Sequence, residues 1–302
     1  MSKTDDPDAL RRLYQGWSDR MAANPEMGMD DMRSMFDEWH QATTEPAGVR
    51  YAEDEVGGVP GIWAIPDGAD ESKVVLYTHG GGFAVGSAAS HRKFAGHLAK
   101  ALGTRAFVVD YRRSPEAPFP AQLDDSVAVF RALVADHGIK PEDITTSGDS
   151  AGGNLAISIP LKLRDDGDEL PGAVIAFSPW LDMEQSGATL DSNAATDALV
   201  QKPILQGMSA MFVGEGNDAA RTNPLANPLY ADFSGFPRMW VDAGTHETLQ
   251  DNAEQVHEKA KAAGVDSTLS LIDGQQHVFV FMAGRAKVAD DELAAIAQWH
   301  KK

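Results

Sequence analysis

Two short stretches carry the residue types and spacing that could attack a carbonyl. In Gly148-Asp149-Ser150-Ala151-Gly152-Gly153-Asn154 a serine is flanked two positions away on each side by glycine. A β-rich run at 144–147 leads in and a helix-forming run at 151–163 leads out. That arrangement fits a sharp strand-to-helix turn that lifts a serine hydroxyl clear of a sheet. A side chain at Gly148 or Gly152 would collide with the neighbouring strand or helix. Upstream, His79-Gly80-Gly81-Gly82-Phe83 offers bare backbone N–H groups that can point at a developing oxyanion. Hydroxyl and donors together outline acyl transfer.

Such a serine needs a base and an acid further along the chain, in the order Ser, Asp/Glu, His. The histidines beyond Trp240 are His246, His257, His277 and His300. His257 sits in a polar helical run and reads as solvated, and His300, close to the C-terminus, is expected to fray. His277 follows the strand-like 268–272 across the polar turn Asp273-Gly274-Gln275-Gln276, where a loop delivers a general base. For the acid the choice lies among Asp242, Glu247 and Asp251. Residues 239–244 read as a buried strand, and Glu247 lies on the loop after it, which favours Glu247 over Asp242. Asp251, already a turn into the next helix, reads as a supporting or helix-face charge. His246, adjacent to Glu247, cannot easily turn back to receive its neighbour's hydrogen bond.

The elements that must position these groups begin with two helical stripes. Leu10, Leu13, Tyr14, Trp17 and Met21 share one helix face, and Met32, Met35, Phe36 and Trp39 another, with Asn24-Pro25 between them. Most of these side chains should pack on the core, while Met27, Met29, Met32 and Met35 are adaptable enough to line a tolerant pocket. Residues 49–56 and 59–66 form an opening hairpin around Gly57-Gly58. Strands at 74–78, 106–111, 144–147, 174–178, 239–243 and 268–272 follow, separated by helical runs near 91–102, 123–137, 151–164, 249–263 and 290–299. This alternation predicts an α/β fold, a mostly parallel eight-stranded sheet flanked by helices. Both motifs then fall at the carboxyl ends of strands, where open α/β sheets bind ligands. The proline-broken stretch 110–120 reads as a structural brace.

Composition narrows the function class. The 302 residues carry 45 acidic against 26 basic side chains, a net charge of −19, which argues against nucleic acid and anionic membranes as partners. With no cysteine, thiolate metal sites, disulfides and thiol catalysis are excluded. His91 and His97, six apart, make a poor ligand pair, and the Gly80-Gly81-Gly82 run lacks the ending of a phosphate loop. Neither a metal nor a cofactor is expected. No apolar run approaches the roughly 18 residues of a membrane span, and Met1-Ser2-Lys3-Thr4-Asp5-Asp6 lacks the form of a signal peptide, so a cytoplasmic location without membrane insertion is expected.

The chain resembles the hormone-sensitive-lipase-like branch of the α/β-hydrolases, the bacterial family IV esterases. The resemblance rests on the two motifs above together with Asp110-Tyr111-Arg112-Arg113-Ser114-Pro115-Glu116, Phe119-Pro120-Ala121, Ser178-Pro179-Trp180, Asn223-Pro224-Leu225-Ala226-Asn227-Pro228-Leu229, Glu247-Thr248-Leu249-Gln250-Asp251 and His277-Val278-Phe279, in collinear order from about residue 50 to the end. It implies carboxylester hydrolysis with Ser150 as nucleophile, His277 as base and Gly81, Gly82 and Ala151 as oxyanion donors. Many members carry aspartate followed by proline at the acid position, whereas Glu247-Thr248 is similar to a glutamate-bearing subset. The resemblance further implies that residues 1–48 form a small helical cap with part of an insertion at about 185–222, over a catalytic domain at 49–302. A homodimer is a further expectation, since family members are often dimers.

The expected activity is therefore hydrolysis of short- to medium-chain acyl esters, small molecules, through a Ser-Glu-His triad and an acyl-enzyme. Deacetylation or amide hydrolysis by the same triad is the neighbouring alternative. A binding protein is the alternative from another class: the plant gibberellin receptors resemble this family but lack the histidine that His277 supplies here.

Overall fold

Strands β1 (Val49–Val56), β2 (Val59–Pro66), β3 (Asp70–Thr78), β4 (Thr104–Val109), β5 (Ile144–Asp149), β6 (Ala173–Phe177), β7 (Arg238–Gly244) and β8 (Ser267–Ile272) form one sheet in the order 1-2-4-3-5-6-7-8. The computed structural model describes residues 5–302, so the first four residues of the expected cap segment and of the expected leaderless start lie outside it. β1 pairs antiparallel with β2 and β2 with β4, and every later pairing is parallel. The expected fold class is the observed one.

Helices α1 (Ala9–Ala23), α2 (Met29–Phe36), α3 (Ala88–Leu102), α4 (Ala121–Ala135), α5 (Ala151–Asp166), α6 (Thr189–Ser192), α7 (Lys202–Val213), α8 (Gln250–Ala262) and α9 (Lys287–His300) surround the sheet. Burial explains why β5 and β6 read as unbroken runs: all their residues are inaccessible, as expected of parallel strands covered on both faces. Alternate side chains serve the two faces. Trp240 meets Trp299 of α9 with ring centroids 5.8 Å apart, while its neighbours Met239 and Val241 pack with Val256 and Ala260 of α8. β8 is one of the two edges, and each of its residues is half-buried.

Element ends depart from the sequence reading where caps decide them. α3 begins three residues earlier than periodicity suggests because Ser87 accepts from the Ser90 N–H while the Ser90 hydroxyl accepts from the Ser87 N–H, a reciprocal cap. The solvated reading of His257 is corrected: it is 9% exposed and its Nδ1 lies 2.9 Å from the Ser267 hydroxyl, because that face of α8 meets the start of β8. Nor does His300 fray. It ends α9 with Nε2 2.8 Å from the Thr145 hydroxyl, and burial pushes its imidazole down to about 4.

Four stretches matter beyond the sheet. In α1 Leu10, Tyr14 and Trp17 are buried, and Trp17 packs on Phe36 and Trp39 at 4.9 and 5.3 Å. Fully burying side chains of this size contributes about 1.5–3 kcal/mol each, so the N-terminal stripes are anchored as well as placed. In α7 Leu205, Met208 and Phe212 are buried, and Phe212 stacks on Phe83 at 3.7 Å. The loops after β3, β5, β6, β7 and β8 converge beneath these helices. The stretch 110–120 is a brace: Arg112 grips Asp125 at 2.7 Å, Arg113 donates to the Gly86 carbonyl at 2.8 Å, and Ala88 N–H donates to Asp110 at 3.1 Å.

Candidate active site

Ser150 sits between β5 and α5 with φ 53° and ψ −119°. A non-glycine residue in this region is strained by roughly 1–3 kcal/mol and persists only where its surroundings impose it. Here they do. The Ser150 N–H donates to Phe177 O at 2.9 Å, and its carbonyl accepts from Trp180 N at 2.9 Å and Asn154 N at 3.1 Å. A Cβ on Gly148 would lie 2.3 Å from the Gly152 carbonyl oxygen, and one on Gly152 would lie 2.0 Å from that of Thr78. The helix therefore crosses the strands backbone to backbone. Phe83, Ser178 and Val278 also have positive φ, so strain gathers at the strand ends around Ser150.

Directly before the serine, Asp149 is fully buried. It accepts the Tyr77 hydroxyl at 2.6 Å and the Gly80 N–H at 3.1 Å, and His91 faces it at 3.5 Å. Burial alone would raise its carboxyl, but His91 and the Tyr77 hydrogen bond hold it below the ordinary carboxylate range. The strand end that bears the serine thus clamps the first glycine of the donor loop. Tyr111 donates to the His79 carbonyl at 2.7 Å and stacks on its ring at 4.1 Å. The buried His79 imidazole is pushed down to about 4, first by desolvation and then by His91, so it acts as neutral scaffolding. The N–H groups of Gly81, Gly82 and Ala151 have no hydrogen-bond partner among the described residues, and Ala151 opens α5, where the helix dipole favours an anion.

Across the site, His277 lies on the loop after β8 and Glu247 on the loop after β7. His277 Nδ1 is 3.6 Å from Glu247 Oε1, with the two side chains 2% and 0% exposed. Burial lowers the imidazole, but Glu247, Asp197 and Asp149 outweigh it, and the His277 pKa lies above its ordinary value. Glu247 Oε2 accepts the Ser178 hydroxyl at 2.7 Å and the Gly244 N–H at 3.2 Å. The Ser178 oxygen in turn accepts the Val278 N–H at 3.0 Å, so one hydroxyl ties the acid loop to the residue after His277. From the far end of the chain, Tyr14 donates to the His277 carbonyl at 3.0 Å and Trp39 donates to Tyr14 at 3.2 Å.

The other acids stand elsewhere. Asp242 is buried below this group, accepting the Ser178 N–H at 3.2 Å, and desolvation with the neighbouring Glu292 and Glu247 pushes its carboxyl well up. Asp251 accepts the Thr189 N–H at 3.2 Å and so anchors α6. His246 donates its backbone N–H to Gln275 O at 3.0 Å, outside the cavity.

Ser150, His277, Gly81 and Gly82 share the wall of one cavity. Its remaining walls are mainly apolar, with Phe36 and Trp39 from the N-terminal segment and Leu199, Leu205 and Met208 from the stretch between β6 and β7. Met208 lies so close to Gly82 that a Cβ on the glycine would be 2.0 Å from its sulfur. Of the four methionines singled out above, none lines this cavity; Met27 and Met32 line a neighbouring groove that shares Leu199 and Ile204 with it. A hydroxyl, an imidazole backed by a carboxylate, and free N–H donors around an apolar pocket can carry out acyl transfer. Sequence reasoning missed the roles of Ser178, Asp197 and Tyr14. Ser178 had a signal in its place at a strand's carboxyl end; the other two act over distances no local pattern reports. No helix among the described residues is long and apolar enough to cross a membrane.

Known proteins fit the same outline. A family model described as alpha/beta hydrolase fold matches residues 75–281. An acetyl-hydrolase of Streptomyces hygroscopicus is 32% identical over 85% of this chain and 90% of that one. An esterase of Acinetobacter venetianus is 33% identical over 76% of this chain and 75% of its own length. Among solved structures, an esterase from the bacterial hormone-sensitive lipase family superposes with a TM-score of 0.91 at 36% identity, covering 100% of this chain and 99% of that one. The chain belongs to the hormone-sensitive-lipase-like family of α/β-hydrolases and is a carboxylic ester hydrolase.

Proposed function

We propose that the chain is a serine carboxylesterase for short- to medium-chain acyl esters, working through Ser150, His277 and Glu247 and an acyl-enzyme. His277 takes the Ser150 proton as the hydroxyl attacks the ester carbonyl. Glu247 holds the imidazole in the useful tautomer and stabilises the imidazolium. Gly81, Gly82 and Ala151 N–H groups receive the oxyanion, where each donor is worth on the order of 3 to 4 kcal/mol. The alcohol leaves with the proton from His277, and water repeats the attack on the acyl-enzyme.

The observation that carries this reading is the buried Glu247–His277 pair, whose ring shares a cavity with Ser150 and the free donors. The 3.6 Å separation needs to close by a few tenths of an ångström, as catalytic hydrogen bonds in unliganded sites often do on binding. Met208 set against Gly82 narrows the space beside the donors, which favours small acyl groups. The pairing of Glu247 with His277 weighs against a binding protein without catalysis. A relative named as an acetyl-hydrolase keeps deacetylation as the second reading.

The test is a panel of p-nitrophenyl esters of increasing acyl length, with N-acetyl substrates alongside. Turnover should peak at short to medium chains and vanish in Ser150→Ala with the fold intact. Turnover retained in that variant removes the assignment, and a preference for N-acetyl substrates moves it to deacetylation.

A further inference from the structure

The insertion that walls the cavity is tied to both triad loops through one short segment. Residues 193–200 run between α6 and α7, and Leu199 and Val200 face the cavity. Asp197, 5% exposed, accepts Leu199 N–H at 2.9 Å and Val200 N–H at 2.8 Å on one oxygen. Its other oxygen accepts Thr248 N–H at 2.8 Å and the Thr248 hydroxyl at 3.2 Å, directly beside Glu247. Asn193 donates to the Glu247 carbonyl at 2.9 Å. On the base loop, Gln276 accepts Ala198 N–H at 2.8 Å and donates to the Thr196 carbonyl at 2.8 Å, immediately before His277.

We propose that Asp197 is a positioning residue: it locks the Leu199–Val200 wall to the acid and base loops and keeps Glu247 aligned on His277. Of the four hydrogen bonds to this buried carboxylate, two leave the segment for the residue after Glu247. Wall and triad therefore move as one body, so a substrate that presses on Leu199 or Val200 is felt at the acid–base pair. The charged and titratable groups facing His277 are Glu247 from the β7–α8 loop, Asp197 from the insertion, Asp149 from β5 and the Tyr14 hydroxyl from α1. Those facing Asp197 include His277 and Tyr14. Burial raises the Asp197 carboxyl, while His277 and the N–H donors pull it back.

The inference rests on the esterase reading, and the experiment separates the two. With a short-chain p-nitrophenyl ester, Asp197→Asn should lower kcat at least about tenfold, change KM by less than about threefold, and move the acid limb of kcat/KM down by about half a pH unit, because one of the charges that raise His277 is gone. A merely structural role would leave the limb in place. A folded Asp197→Asn with wild-type kcat and an unmoved limb overturns the inference. If that variant does not fold, Thr248→Val decides. It keeps the Asp197 charge but removes a hydroxyl that bonds both Asp197 and the Val200 carbonyl at 2.9 Å. A several-fold fall in kcat at unchanged KM and unchanged limb supports the coupling, and wild-type kcat overturns it. Turnover that survives Ser150→Ala overturns the esterase reading and this inference together; Ser150-dependent turnover with Asp197→Asn indistinguishable from wild type overturns this inference alone.

Discussion

Asp149 and Asp242 occupy the same row of the sheet, aligned across Phe177 of β6, and neither is accessible to solvent. Their environments differ sharply. Beneath Ser150, Asp149 has the Tyr77 hydroxyl, the Gly80 N–H and His91 around it. Beneath Glu247, Asp242 has one backbone donor, with Glu292 and Glu247 as neighbours. Glu292 spends its own donors, Trp240 and Ser270, both at 3.0 Å, on itself. One carboxyl is therefore held below the ordinary range and the other well above it. The Ser150 side of the floor uses a charge to fix backbone, and on the Glu247 side burial and like charges oppose a charge on Asp242. Depth sets how much a carboxyl's charge costs, and neighbours decide whether it is kept.

Three substitutions press on that contrast. Glu247→Gln should give the largest effect, lowering kcat by about 10³–10⁴-fold as the imidazole loses its orienting charge; a ranking in which Asp242→Asn costs more would transfer the acid role. Asp149→Asn leaves His91 facing an amide and should cost about 3 kcal/mol of stability, with kcat/KM down about tenfold as the Gly80 loop loosens, both read by thermal melts and initial rates. The loss should shrink in acid, because a lowered carboxyl contributes stability above its usual value of 3.8 that disappears as pH falls through its lowered value. A pH-independent difference would mean Asp149 carries no charge. The smallest effect should come from Asp242→Asn, which mimics the neutral acid: kcat within about threefold, and melting at pH 8 unchanged or raised. The sign follows from the raised pKa, since holding that carboxyl costs stability increasingly as pH climbs from its unfolded value toward its folded one. A marked loss at pH 8 would show that the ionised form is the one the fold requires.

Much of this was legible in the chain, for identifiable reasons. The hairpin β1–β2 has the bounds its alternation and the Gly57-Gly58 turn announce. The Ser150 turn and the glycine loop are local, so their glycines are written next to the residues they serve. Glu247 and His277 could be placed because strand–loop position is also local. What escaped depends on pairings between distant residues: Ser178 with Glu247 is 69 positions apart, and Asp197 with Thr248 is 51. His257 misled because polar neighbours suggested solvent, while the packing of α8 against β8 decided otherwise. β3 starts at Asp70 because an irregular register lets an exposed, polar run join the sheet.

The hydrogen bond from Tyr14 to the His277 carbonyl spans 263 positions. A contact of that length closes late, after the intervening chain has lost most of its freedom. During synthesis the first helix is complete long before its acceptor exists, so the Tyr14 hydroxyl waits for the His277 carbonyl while Trp17 already has Phe36 and Trp39 to pack on. A polypeptide stopped short of residue 277 would leave the Tyr14 hydroxyl without its acceptor and Trp39 without Phe281.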